Sequence, residues 1–218
     1  MRAAGSGRGP LLRRLPSSPR AELRHPYSTT AIGISTAVAA AVGYLAKKGY
    51  DNLRRIPNVQ AIPPAYIEGQ REIRGVVTNV RDPDNFRLYH TPWPYSFWPI
   101  PLNTKDRLGK TIHVRIAGAD APELGRFGKP PQAYAKEAQE WLKSQILDKV
   151  VFCTFHRVDH YDRVVATVYY RPTTDSPAVR NLSLEMVRHG WARVYTQHGA
   201  VYGVEGIGQY LEAEREAK

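Results

Sequence analysis

The sequence predicts an α+β protein: a five-stranded barrel with one helix inserted after the third strand and further helix at the C terminus, preceded by a basic tail and one transmembrane helix. Three observations carry this. Short β-branched runs with a two-residue period recur five times beyond residue 70. A single stretch of helical period, 132–147, separates the third run from the fourth. Upstream of them all, Ser28 to Ala46 contains no charged residue, close to the ~20 residues a helix needs to cross a hydrocarbon core.

Residues 1–27 hold six arginines against one acid, Glu22, among Ser, Pro and Gly. Such an Arg-rich, acid-poor opening has the composition of a mitochondrial targeting segment, and equally of a disordered basic arm. Over 28–46 the run is rich in Ala, Gly and Thr, which suits close helix contact. Tyr27 and Tyr44 near its ends and Lys47, Lys48, Arg54 and Arg55 beyond it would serve as interfacial anchors. The competing reading is a buried Ala-rich helix. The expectation is a single-pass span, with residues 47–68, which contain three prolines, as a linker.

The working domain is then 69–218. Its strands are predicted over 71–80, 85–90, 110–118, 149–158 and 163–171. The segment RDPD links the first two as a hairpin, and in the third Ile112, Val114 and Ile116 share one face. In the inserted helix Ala135, Ala138, Trp141, Leu142 and Ile146 form the apolar stripe, started by Pro130 and Pro131. Asn181 to His189 reads as a short helix stopped by Gly190, and 209–218 as a last one. Five strands with helices so placed fit a barrel of the OB type. The stretch Thr91 to Leu102, with Pro interleaved among Trp93, Tyr95, Phe97 and Trp98, forbids regular structure. It could stack bases, lean on a bilayer, or fold over its own barrel.

Composition bounds the function. With 42% hydrophobic and 23% charged residues the 218-residue chain is that of a folded domain. One cysteine, Cys153, excludes an intrachain disulfide framework and a cysteine zinc cage. A formal charge of +11 suits a polyanionic partner, nucleic acid or an acidic membrane.

Several charged residues fall beside predicted strand ends or turns. Asp84 and Asp120 are hard oxygen donors of the kind calcium accepts. Arg115, on the opposite face from Ile116, and Arg163, at a strand start, can each grip a phosphate through two parallel hydrogen bonds. Glu123, fixed in direction by Pro122, can orient or deprotonate a water. Singly, each is as ordinary as a turn or a solvated charge.

As a set, Arg115-x4-Asp120-Ala121-Pro122-Glu123, then Tyr161-Asp162-Arg163, with Asp84 in an upstream D-x-D turn, resembles the signature of the staphylococcal (thermonuclease-like) nuclease family. The segments LRRIP, DNFRLYHTP, TIHVRIAG and YDRVVATVY resemble its branch of fungal, membrane-anchored mitochondrial probable endonucleases of the long-chronological-lifespan type. The resemblance implies an OB-fold barrel that hydrolyses phosphodiester bonds in DNA or RNA with Ca2+ at a mitochondrial membrane. It implies that Asp84, Asp120 and the Ala121 carbonyl bind the metal, that Glu123 is the general base, and that Arg115 and Arg163 hold the phosphate. His160 and Tyr161 would then touch the substrate. Two departures stand out: Pro83 replaces the usual Gly of the D-x-D turn, and Asp162 stands where bacterial members carry Gly. A non-catalytic OB module that binds nucleic acid or protein is the alternative.

Overall fold

The computed structural model describes residues 29–93, 95–97, 99–101, 108–125, 128–173 and 178–218, and for 29–35, 51–52 and 95 the backbone only. The basic segment 1–27 and parts of the aromatic stretch, including Trp98, lie outside the described residues. The chain divides into two units, 1–47 and 48–218.

The first helix, α1 (Thr29–Leu53), does not stop at Ala46 as expected. It runs on through Lys47 and Lys48, since nothing between Ala46 and Leu53 caps or breaks it. The transmembrane expectation is corrected here: among the described residues no helix is long and apolar enough to cross a membrane.

The segment expected to be a linker instead feeds the core of the second unit. Ile56, Val59, Ile62 and Tyr66 are buried in it, spaced three and four apart. A 3₁₀ turn (Val59–Ala61) capped by Asn58, and the short helix α2 (Pro64–Glu68) with proline in its first turn, bring them inward. The Ile56 amide donates to His90 Nδ1 at 2.9 Å and fastens this segment to the sheet.

That sheet is built from β1 (Glu72–Asp82), β2 (Asn85–His90), β3 (Ile112–Ile116), β5 (Val150–Val158), β6 (Val164–Tyr170) and the two-residue β7 (Arg180–Asn181). Strand order is β3-β2-β1-β5-β6-β7, and β3 also pairs with β6 in parallel, so five strands close on themselves. All the other pairings are antiparallel. Alternation decides the inside: Ile112, Val114, Ile116, Val151, Cys153 and Phe155 are buried, while His113 and Arg115 project from the other face.

Helix α3 (Ala135–Ile146) buries Ala135, Ala138, Leu142 and Ile146, the stripe read from the sequence less Trp141, which is partly exposed. Helices α4 (Leu182–Arg188) and α5 (Gly206–Glu216) pack on each other. Two further short strands, β4 (Ala119–Asp120) and β8 (Arg193–Val194), pair antiparallel beside them.

Candidate active site

The hairpin between β1 and β2 has a two-residue loop, Pro83-Asp84. Proline holds φ near −65°, which suits the first position of such a turn. Asp84 is not among the residues with positive φ, so the turn is of the unprimed kind. Turns of that kind splay their strands, and a register shift between Val80 and Asp82 accompanies it. Gln139 of α3 donates to the carbonyls of Val80 (3.3 Å) and Arg81 (2.6 Å), holding that irregularity in place. Pro83 is thus accommodated.

Asn85, 4% exposed, organises the polar end of this hairpin. Its amide donates to Asp82 (3.0 Å) and to Asp84 (2.9 Å). Its Oδ1 must therefore accept, which puts the His113 proton on Nε2, 3.0 Å away. Burial first, and then the nearby Arg87 and Arg163 charges, lower the His113 pKa to about 4, so the imidazole is neutral at pH 7. Asp84 also faces the Arg115 guanidinium at 3.7 Å, a loose, partly buried ion pair. Arg115 lies opposite Asn85 on β2 and Val165 on β6, so its backbone is held from both sides. Its guanidinium stands 5.8 Å from the centre of the Tyr195 ring.

Asp120 leaves the sheet through Gly118, whose φ is +79°. A Cβ there would lie 2.9 Å from the Val201 carbonyl and 3.1 Å from the Tyr210 ring, so only glycine fits. Asp120 is exposed and pairs with Arg193 across β4–β8. Glu123 is exposed too, and its backbone is fixed twice: its amide donates to Gln132 Oε1 and its carbonyl accepts from the Gln132 amide, both at 3.0 Å.

The turn 159–163 is organised by a residue to which sequence reasoning gave no role. Asp159 accepts the backbone N–H of Tyr161 (2.9 Å) and of Arg163 (3.0 Å), and its other oxygen takes Arg163 Nε at 2.8 Å. Burial pushes its pKa up, but these bonds and the Arg163 charge outweigh that and hold it below the ordinary value. The signal in the sequence was a turn-favouring Asp two residues before Tyr161-Asp162-Arg163. Asp162 takes φ +55°, the left-handed conformation in which glycine is at ease. The His160 and Tyr161 rings meet tilted at 43° with centres 3.8 Å apart, and Arg163 sits 5.1 Å from the Tyr161 ring.

A cleft of about 230 Å³ gathers Arg115, Asp159, His160 and Tyr195 with the backbone of 117–119. Asp84 joins it through Arg115, and Arg163 through Asp159. Asp120, Ala121, Glu123 and Tyr161 are not among its lining residues. A larger cavity, about 600 Å³ on the outer face of β5 and β6, is lined by none of these charged residues. Asp84, Asp120 and the Ala121 carbonyl are hard oxygen donors, the chemistry calcium requires. Among the described residues no group of three or more His, Cys, Asp or Glu is placed to hold a metal. A calcium ion held by this pair of carboxylates would therefore complete its shell with carbonyls, water or substrate.

Residues 113–218 match the family described as "Staphylococcal nuclease homologue". The chain is 44% identical over 206 residues to "Probable endonuclease LCL3" of Schizophyllum commune, covering 90% of this chain and 70% of that protein. It is 47% identical over 178 residues to the protein of that name in Emericella nidulans (76% and 63% of the two chains). With the Aspergillus terreus protein it shares 45% over 177 residues (76% and 60%). The chain thus spans between 60% and 70% of the length of these relatives.

Proposed function

Because this chain belongs to the staphylococcal nuclease homologue family, we propose that it is a metal-dependent endonuclease that hydrolyses phosphodiester bonds of DNA or RNA with low sequence specificity. The observation that carries this reading is a pair of guanidiniums beside one cleft, Arg163 fixed by Asp159 and Arg115 loosely paired with Asp84. The relatives' printed name, probable endonuclease, points the same way.

In this reading Glu123 takes a proton from water, whose oxygen bonds to phosphorus as the ester P–O bond breaks; the departing oxygen takes its proton from solvent. Arg163 is held at Nε by Asp159, which leaves its two terminal nitrogens to donate in parallel to the phosphate. Arg115 donates from the other side, and the two charges meet the negative charge that grows as phosphorus becomes five-coordinate. His160 and Tyr161 contact substrate next to that phosphate. Calcium, held by Asp84, Asp120 and the Ala121 carbonyl, would supply further positive charge. A mitochondrial location belongs to the same proposal, supported by the six arginines and one acid of residues 1–27.

The test is cleavage of single-stranded DNA and RNA by the full chain, with calcium or with a chelator, beside Glu123→Gln. Cleavage should need calcium and fall about 10²–10⁴-fold in the variant, with binding retained. Equal cleavage by variant and parent would remove Glu123 as the base. Salt-sensitive binding with no cleavage in any metal would make the chain a binding module.

A further inference from the structure

A second cluster of positive charge lies outside the machinery just described. In the register of the sheet Asn79 of β1 pairs with Arg87 of β2, and Arg87 pairs with His113 of β3. These three residues form a row across three adjacent strands, a spacing of roughly 5 Å per strand. Arg81, two residues along β1 from Asn79, joins it. All four line a groove of about 410 Å³ whose far wall is Tyr161 and Asp162, from the turn that holds Arg163. The same four line an adjoining hollow of about 190 Å³ that reaches Asp82 and Asn85, next to Asp84. The groove thus meets the turn that holds Arg163, and the hollow lies next to Asp84 of the candidate catalytic site.

Burial first, and then the charge of Arg81, lower the pKa of Arg87, so the two guanidiniums crowd one another. Among the described residues neither has an ion-pair partner. Asp162 across the groove is exposed, and Asp82 lines the adjoining hollow. His113 is neutral and committed to Asn85, so it shapes the row without adding charge. Keeping a half-buried guanidinium, Arg87, beside the exposed like charge of Arg81 on the neighbouring strand costs stability unless an anion shares the site.

We propose that Arg81 and Arg87 form an anion site for the phosphodiester backbone of the substrate strand, one or more nucleotides from the bond that is cut. The inference rests on the endonuclease reading for the identity of its ligand. Guanidiniums favour phosphate because their planar fork matches its oxygens. Tyr161, 65% exposed at the rim, offers a ring face to the base between the two sites. The consequence is a preference for long substrates: a trinucleotide fills the catalytic cleft alone, whereas a longer strand also fills the groove.

The experiment compares the full chain with the Arg81→Gln/Arg87→Gln double variant and the corresponding Lys pair, each first shown by thermal melting to be folded. With a chelator present, the affinity for a single-stranded 20-mer is measured against salt. Losing two phosphate contacts should flatten the log–log salt slope by about 1.4 and weaken binding roughly tenfold or more at low salt. The Lys pair should recover the slope. With calcium present, kcat/KM on the 20-mer should fall by a similar factor while that on a trinucleotide stays at the parent level. An unchanged slope overturns the proposal. So does an equal loss on both substrate lengths, which would make these arginines part of the catalytic cleft. Lost binding of inorganic phosphate with 20-mer affinity intact would make the groove a free-anion site and equally overturns it. A parent that binds but never cuts overturns the endonuclease reading alone, and the slope still decides the groove.

Discussion

Asp162 shows how much one residue can be asked to reconcile. Asp159 accepts the amides of Tyr161 and Arg163, and the Asp162 amide donates back to the Asp159 carbonyl at 3.2 Å. Closing so tight a turn puts Asp162 at φ +55°, where an L residue meets its own carbonyl. Asp endures this better than most side chains, and glycine bears no penalty there. Both Asp162→Gly and Asp162→Ala remove the same charge, so their difference isolates the backbone. In urea denaturation the Gly variant should be more stable than the Ala variant by about 1 kcal/mol. An Ala variant as stable as the Gly one would mean that the turn is not held in this conformation. The strain is confined to the residue that faces the arginines, while the neighbouring Arg163, just before β6, closes the turn by accepting the Asp159 amide at 2.8 Å.

At the scale of elements, the site hangs on helices that carry none of its charges. Asn181 caps α4: its Oδ1 accepts the amides of Ser183 (3.1 Å) and Leu184 (3.3 Å), the Ser183 hydroxyl (2.9 Å) and the Tyr210 hydroxyl (3.2 Å) of α5. Its Nδ2 donates to Glu205, which also accepts from Tyr169 of β6. Tyr210 in turn lies beneath Gly118, and Glu214 of α5 accepts the Val194 amide of β8. Through these contacts α5 supports the β4–β8 pair from which Asp120 projects. Asn181→Ala removes a cap worth ~0.5–2 kcal/mol and strands buried hydroxyls at a further ~1–3 kcal/mol. A loss of about 2–4 kcal/mol in chemical denaturation is expected; a loss under 1 kcal/mol would mean the network repairs itself. What the sequence disclosed follows the same scale. The long strands and α3 were legible because five or more residues can show a period, and Arg115 because strand parity set it opposite Ile116. Strands β4, β7 and β8 are two residues each and have no period to read. Ile56, Val59, Ile62 and Tyr66 did recur at helical spacing, but Pro57, Pro63 and Pro64 among them gave the look of a linker. The end of α1 was misplaced because a loss of hydropathy at Lys47 is not a loss of helix. Asp159 escaped notice because its role depends on how a turn closes, which residue types alone do not determine.

Over the whole molecule, burial first and nearby positive charge second set how the fold responds to acid. Three histidines line the working unit in uncharged form. Burial and the Arg55 charge lower His90 to about 4 from its ordinary 6.5, and burial with Arg87 and Arg163 does the same for His113. His156 is lowered by burial and Arg157. In the unfolded chain each would titrate near 6.5. Between about pH 6.5 and 4 the unfolded state therefore binds more protons, so stability rises with pH across that window and is lost as acid is added through it. His90 is 3% exposed and accepts the Ile56 amide, which it cannot do once protonated on both nitrogens. Its share of the loss is on the order of 3 kcal/mol. The segment from Ile56 to Tyr66 is fastened by that bond, and its detachment would uncover the core it covers. Melting temperatures of the full chain should fall steadily from pH 7 to pH 4, and His90→Asn, whose Oδ1 can take the same amide without titrating, should flatten part of that fall. A melting temperature that holds from pH 7 down to pH 5 would mean that these imidazoles take up protons in the folded chain as readily as in the unfolded one.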